Sequence, residues 1–441
     1  MTVLTSSRTS MASVFTTLLV ATAAPAPAAE PAPIKSPDLP PLPKAVASLG
    51  AVACDGYLYV YGGHAGKTHS YDTTTALGTF HRLKLDGGTA WEELPGGPKA
   101  QGVGLAAHGG KVYRVGGMQP RNAPGAAADT HSLADCARFD PRANKWEALP
   151  PLPAGRSSHE AVVAGDKLVV VGGWQMKGAG ADPVWSDTAL VLDLAAEKPE
   201  WKSIPQPFKR RALAAAAVGN AVYVLGGLGA DGGDRRADVL DVTTQKWTTG
   251  PALPGTDRVA FAPAACSVAG RLVVNTSDGP VYRLTDAGDG WEKSGEAATK
   301  RVVARLVPFG ADAVVLVGGS GAGGNVAAVE VVRFADPAKP LTPAEAAKKL
   351  NEKVVVELEV KSTGGKDVCF LNSEADFKDD KNFTLFIPAA ALETFKAAKI
   401  DDPKAYYKGK TVRVTGTVTL YRDKPQIKVE SATQIEVVEK K

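Results

Sequence analysis

The strongest constraint on this chain is a phrase that recurs, a short apolar run closed by two glycines. It first reads Tyr57-Leu-Tyr-Val-Tyr-Gly62-Gly63. It returns as Val112-Tyr-Arg-Val-Gly116-Gly117, Leu168-Val-Val-Val-Gly172-Gly173, Val222-Tyr-Val-Leu-Gly226-Gly227 and Val314-Val-Leu-Val-Gly318-Gly319. The first glycines lie 54, 56, 54 and 92 residues apart, and a worn copy, Leu272-Val-Val-Asn275-Thr276, divides the long gap. Six copies at a period of about fifty residues mark a repeat array, in which each unit buries its faces against its neighbours.

Four to six β-branched or aromatic residues predict a strand buried on both faces. The diglycine after it permits positive φ and a close approach by another chain. A tryptophan follows 15 to 29 residues later in five copies, at Trp91, Trp146, Trp201, Trp247 and Trp291. An indole there fills the wedge between two sheets, with an N–H that needs a partner. Segments such as Phe139-Asp140-Pro141, Asn144-Lys145-Trp146 and Leu149-Pro-Pro-Leu-Pro153 complete the unit, which resembles the kelch repeat. The resemblance implies a four-stranded blade per copy and an all-β, six-bladed kelch-like β-propeller over about residues 30–340. Copy five lacks the diglycine and copy six lacks the tryptophan.

Residues 1–29 join Arg8, an apolar stretch from Met11 to Ala24, and Ala26-Pro-Ala-Ala29. That order predicts a signal peptide, hence a secreted or periplasmic protein. The segment Ile34-Lys-Ser-Pro-Asp-Leu-Pro-Pro-Leu-Pro43 repeats the proline-rich end of a unit with no diglycine before it. Copy six stops at Phe334 without a fourth strand, so residues from about 34 to 43 are expected to close the ring as that strand.

After Pro337 the grammar changes. Helix signals near Thr342-Pro343 and Ala389 to Ala398, and alternating strands between them and after, predict an OB-fold-like β-barrel over 341–441 with one or two short helices. Lys408-Gly-Lys-Thr-Val-Arg-Val-Thr-Gly-Thr-Val and Lys424-Pro-Gln-Ile resemble the closing half of OB domains in bacterial exported proteins.

The 51 basic and 47 acidic side chains are interspersed, and the net charge is +4. That balance fits neither a nucleic-acid coat nor an acidic tail. Beyond the N-terminal stretch no apolar run is long enough to span a membrane. Cys54, Cys136, Cys266 and Cys369 match no zinc spacing and read as small buried fillers. The six histidines form no metal pair, and no nucleophile elbow, phosphate loop or dinucleotide fingerprint occurs. No cofactor, metal or catalytic set is assigned.

One constellation carries the candidate site. Sixteen to eighteen residues before each diglycine, or its worn copy, lies a base: Lys44, Lys99, Arg156, Arg210, Arg258 and Arg301, with Arg211 as an alternative register. Ring symmetry either sets these around one mouth of the channel as an anion-attracting crown or leaves each capping its own loop. Similar arginines at strand starts in kelch domains contact acidic partners. His159 is the lone candidate for a channel-facing acid or base. Long loops, 118–131 and 174–185, are expected to emerge at one face, and loops on a rigid scaffold are where binding is placed. Trp174 and Trp185 lie outside the tryptophan register, either as exposed contacts or as that loop's own small core.

The expected function is that of an exported, non-enzymatic binding protein for a protein or an anionic carbohydrate. The kelch resemblance also implies an alternative, a sialic-acid mutarotase-like enzyme. Arg156, Arg258 and Arg301 would then hold a carboxylate while His159 or Glu160 moves the proton. A third reading binds nucleic acid or polysaccharide through the barrel, with Phe370, Phe386 and Tyr421 stacking beside Lys361, Arg413 and Arg422. Glu357, Glu359, Glu374 and Asp376 on or beside the same strands make nucleic acid the weaker partner.

Overall fold

A computed structural model describes residues 39–334 and 340–438. The signal-peptide expectation and residues 34–38 of the closing segment lie outside the described residues. Five four-stranded antiparallel sheets and one three-stranded sheet follow in chain order, the six blades of a β-propeller. Their innermost strands are Gly50–Cys54, Gly104–His108, Glu160–Ala164, Ala214–Val218, Ala264–Val268 and Arg305–Phe309. Each of these packs beside the next, and the last packs beside the first, so the ring shuts.

The second strand of each blade is the apolar run of the repeat. In Lys167–Val171 the four residues from Leu168 to Val171 are fully buried, as is all of Ala313–Val317. Burial on both faces explains why these runs do not alternate with polar residues.

Both glycines are dictated by their neighbours. Gly62 has φ +61°, and a Cβ there would stand 2.5 Å from Ala100 O of the next blade. The second glycine then aims its N–H at that same carbonyl: Gly63 to Ala100 O at 2.9 Å, Gly117 to Arg156 O at 2.9 Å, Gly173 to Arg210 O at 2.8 Å and Gly227 to Ala260 O at 2.7 Å. Gly319 to Val46 O at 2.9 Å makes the same bond from blade six to blade one. The diglycine is thus a joint between blades as well as a turn.

The tryptophans form a second set of joints. Each indole donates to a proline carbonyl of the preceding blade: Trp146 to Pro95, Trp201 to Pro150, Trp247 to Pro205 and Trp291 to Pro251, at 2.6–3.1 Å. Trp91 finds its acceptor on Pro40 at 3.1 Å, so the segment 39–43 supplies for blade six the carbonyl that a fourth strand supplies elsewhere. Leu42 N–H also donates to Ala327 O at 2.8 Å, and Leu42 packs with Val315, Val317 and Val329. The segment forms no ladder strand, because Pro40, Pro41 and Pro43 have no N–H to give.

Residues 340–438 form a separate sheet with its own core, including Val356, Leu371, Phe383, Phe395, Val414 and Ile427. Lys353–Glu359 pairs with the first half of Thr411–Tyr421, whose second half pairs with Lys424–Lys428. The latter runs parallel to Thr384–Ile387, which pairs with Cys369–Asn372, and that with Ser362–Gly364. Both ends of the pairing path therefore belong to one stretch of chain, 353–364. Three short α-helices occur where one or two were expected: Pro343–Ala346, Leu392–Ala397 and Pro403–Tyr407. The first begins in a capping box between Thr342 and Glu345. The last was missed although Asp402 caps it and Pro403 opens it. No helix of the described residues is long and apolar enough to cross a membrane.

Candidate functional site: the loop face of the ring

The first residue of each inner strand pairs with the last residue of the next strand, as in Glu160 with Val171. Inner-strand starts and the loops after the glycines therefore share one face. Two residues before each inner strand the backbone is left-handed: Ser48, Gly102, Ser158, Ala212, Ala262 and Val303 all have φ between 48° and 59°. These residues hand a hydrogen bond from blade to blade: Ser48 N–H to Val303 O, Gly102 to Ser48, Ser158 to Gly102, Ala212 to Ser158 and Ala262 to Ala212, at 2.7–3.3 Å. The mouth is rimmed by this collar.

Four residues before each inner strand is a buried slot. It holds Val46, Ala100 and Ala260 in blades one, two and five, and Arg156, Arg210 and Arg301 in blades three, four and six. Arg210, 1% exposed, donates to Gly226 O and Arg236 O at 2.8 and 2.9 Å and pairs with Asp238. Arg301 pairs with Glu330 at 2.6 Å, and Arg156 donates to Thr188 O at 2.8 Å. Each staples strands of its own blade. Burial lowers all three guanidinium pKa values, that of Arg156 to about 10. Lys44, Lys99 and Arg258 fall five or six residues before the strand and are exposed, the first two on loops and Arg258 in the short 3-10 helix Asp257–Ala260. The crown of six cations is therefore corrected: the equal spacing mixes three registers, and half of the set is sealed inside blades.

His159 is corrected too. It is 1% exposed and packed under Gly104, Gly116 and Gly173, with its ring beside the Val115 backbone. Burial, then the charges of Arg156 and Arg305, push its pKa down to about 3. It is a neutral packing residue, not a channel acid or base.

The channel beneath the collar is a cavity of about 280 Å³ whose lining residues are half alanines, including Ala51, Ala106, Ala161, Ala214 and Ala264. Two charges enter it. Arg305 opens the inner strand of blade six, Glu160 that of blade three opposite, and the two pair across the ring. Arg305 also donates to Leu49 O at 2.8 Å and Val103 O at 3.3 Å, so one side chain ties blades six, one, two and three. Burial raises the Glu160 pKa, with Arg305 opposing. This strap was not anticipated as a pair, although a charged first residue in strands otherwise small and apolar was its signal.

Three residues before each inner strand stand Ala47, Gln101, Ser157, Arg211, Phe261 and Val302. Among these rim residues Arg211 is the cation. Its guanidinium lies 4.0 Å over the Trp174 ring and 5.7 Å from that of Trp185. The two indoles meet edge to face at 5.6 Å in the short pairing of Trp174–Gln175 with Val184–Trp185. They are thus the loop's own core and a platform for the cation at once. Tyr71 reaches the same place from blade one, its hydroxyl pKa raised by burial while the Arg211 charge pulls the other way. Its ring stands 5.4 Å from His64, and Asn122 holds its carbonyl at 2.7 Å. Among the described residues Arg211 has no carboxylate partner, and its Nε is buried without an acceptor. Burial lowers its pKa, so a bound anion is favoured beside it.

The family described as Kelch motif matches residues 100–153 and 209–254. The ring carries kelch motifs. Each matched kelch segment begins at or beside the buried slot, crosses the diglycine and the tryptophan, and ends in the prolines that take the next indole. Kelch-like protein terF of Aspergillus terreus is 24% identical, over 56% of this chain and 56% of its own length. Kelch-like protein 34 of Homo sapiens is 33% identical over 33% of this chain and 23% of its own. Kelch domain-containing protein 8B of Rattus norvegicus is 30% identical over 30% and 37%. This chain thus spans about a quarter to just over half of the curated relatives it matches. Among solved structures, that of YjhT aligns with a TM-score of 0.55 at 17% identity, over 68% of this chain and 99% of that one, which is a likeness of fold. A kelch propeller points to a protein-binding or scaffold role.

Proposed function

We propose that this is an exported binding protein whose loop face holds a protein or an anionic carbohydrate, with Arg211 as the anchor. The observation that carries the reading is a half-buried guanidinium stacked on Trp174, with no carboxylate of its own, at the rim of a rigid ring. Such a group donates to a carboxylate with two parallel N–H bonds, and the scaffold is ordered before binding, so little entropy is lost. Export rests on the composition of residues 1–29. The C-terminal sheet is read as an OB-type accessory barrel, on the pairing path that returns to its own first strand.

Of the groups named for the mutarotase-like alternative, Arg258 stays exposed while the others are engaged or buried. Arg156 and Arg301 are bonded within their blades, His159 is sealed, and Glu160 is engaged by Arg305. Calorimetric titration of the full chain with acidic peptides and with uronic and sialic acids tests the proposal. Saturable binding that weakens about tenfold or more in Arg211→Ala, and is unchanged in Arg258→Ala, supports it. Binding untouched by Arg211→Ala overturns it.

A further inference from the structure

The loop that carries Tyr71 has two sides. Asn122 fixes it at both ends of a short stretch, its amide donating to Tyr71 O at 2.7 Å and its carbonyl accepting from Thr73 N–H at 3.0 Å. Tyr71 faces Arg211. On the other side, between the loops of blades one and two, is a cleft of about 370 Å³ lined by Thr73, Ala76, Lys99, Gln119, Pro120 and Arg121.

The chemistry of that cleft is one-signed. Lys99 and Arg121 contribute two positive charges, and no carboxylate lines it. Among the described residues neither base has an ion-pair partner. Lys99 Nζ is placed by Thr73 O at 3.1 Å, and Gln119 Nε2 by Lys99 O at 3.3 Å, so two of the polar side chains are anchored to the walls. Asp129 feels the Arg121 charge but is held by the Ala179 N–H at 2.9 Å and by His131 at 2.8 Å. Two cations in one concavity, neither in a close ion pair among the described residues, focus a positive potential that an exposed single charge does not.

We propose that this cleft is a second subsite, for a tetrahedral oxyanion of the phosphate- or sulfate-ester type, held between Lys99 and Arg121. Three or more acceptor oxygens match a lysine point charge and an arginine fork together better than one carboxylate does. The inference rests on the reading of the loop face as a binding surface and deepens it: the ligand would carry a second anionic group, separated from the Arg211 anchor by the Tyr71–Thr73 wall.

Inorganic phosphate and inorganic sulfate, titrated separately into the full chain at ionic strength held constant with chloride, test the subsite by calorimetry. Saturable binding of either ion that falls about tenfold or more in Lys99→Ala/Arg121→Ala, and persists in Arg211→Ala, supports it; the ion bound more tightly names the ester. Absence of saturation in the native chain, or binding lost in Arg211→Ala and kept in the double variant, overturns it. A thermal melt of the double variant, both of whose sites are exposed, verifies that it folds. Phosphate binding here with no acidic ligand at Arg211 would sink the anchor and leave the subsite standing, so the two failures are separable.

Discussion

Five joints of the ring and the sixth are built differently. Between blades one and two, two and three, three and four, four and five, and six and one, a glycine N–H meets the slot carbonyl and the collar adds a second bond. Between blades five and six neither occurs among the described residues, and no indole reaches across. Asn275 pairs with Ala264 as Tyr61 pairs with Gly50, so blade five has Thr276-Ser277 where the others have two glycines, and Thr276 N–H turns back on Pro280 O at 3.1 Å. That joint is held by side chains: Ala264, Cys266, Leu306, Val314 and Val332 share one core, Arg283 lies 4.9 Å over Phe334, and Glu330 takes both Arg301 and the Ala298 N–H. The weak backbone seam is thus inside the chain, while the junction of its beginning and end carries both bonds. Signature residues of the repeat are joints first; where the sequence drops them, the joint loses backbone bonds.

The largest expected contrast is at the glycines. Gly62→Ala forces a left-handed alanine whose Cβ meets the Ala100 carbonyl, and it should cost about 3 kcal/mol in a denaturant titration. Thr276→Gly, at the matching place in blade five, should change stability by less than about 1 kcal/mol, since no joint depends on it. Equal losses at the two sites would break the comparison.

A smaller contrast is set by pH. His159 sits at the regular joint between blades two and three with its pKa lowered to about 3, against about 6.5 unfolded. The unfolded chain therefore binds a proton that the folded chain refuses. Stability is fully present above pH 6.5 and falls as pH drops toward 3, by about 2 kcal/mol at pH 5. His159→Leu should flatten the stability profile between pH 7 and 5. A profile as steep as that of the native chain would show that this histidine is protonated in the fold or that another group sets the slope.

Much of the ring is legible in the sequence because the joints use residue types with no substitute. Only glycine combines positive φ with a carbonyl at its Cβ position, and an indole alone reaches the preceding blade with an N–H. The binding site was harder to read for a reason of register. Arg210 and Arg211 are neighbours, yet one is stapled inside its blade and the other lies on Trp174, and a spacing read to within two residues cannot separate them. The Glu160–Arg305 strap joins residues 145 apart across a closed ring, so neither charge announces the other until the blades are counted. The helix at Pro403–Tyr407 was legible, and Asp402-Pro403 was its signal.

Amide hydrogen exchange resolved by residue tests the claim that the blades are joined by a backbone collar broken at one place. Ser48, Gly102, Ser158, Ala212 and Ala262 should exchange slowly, together with Gly63, Gly117, Gly173, Gly227 and Gly319, while the Val303 amide exchanges at least about a hundredfold faster. A Val303 amide as protected as the others would mean that the collar closes between blades five and six, and the account of the seam would be wrong.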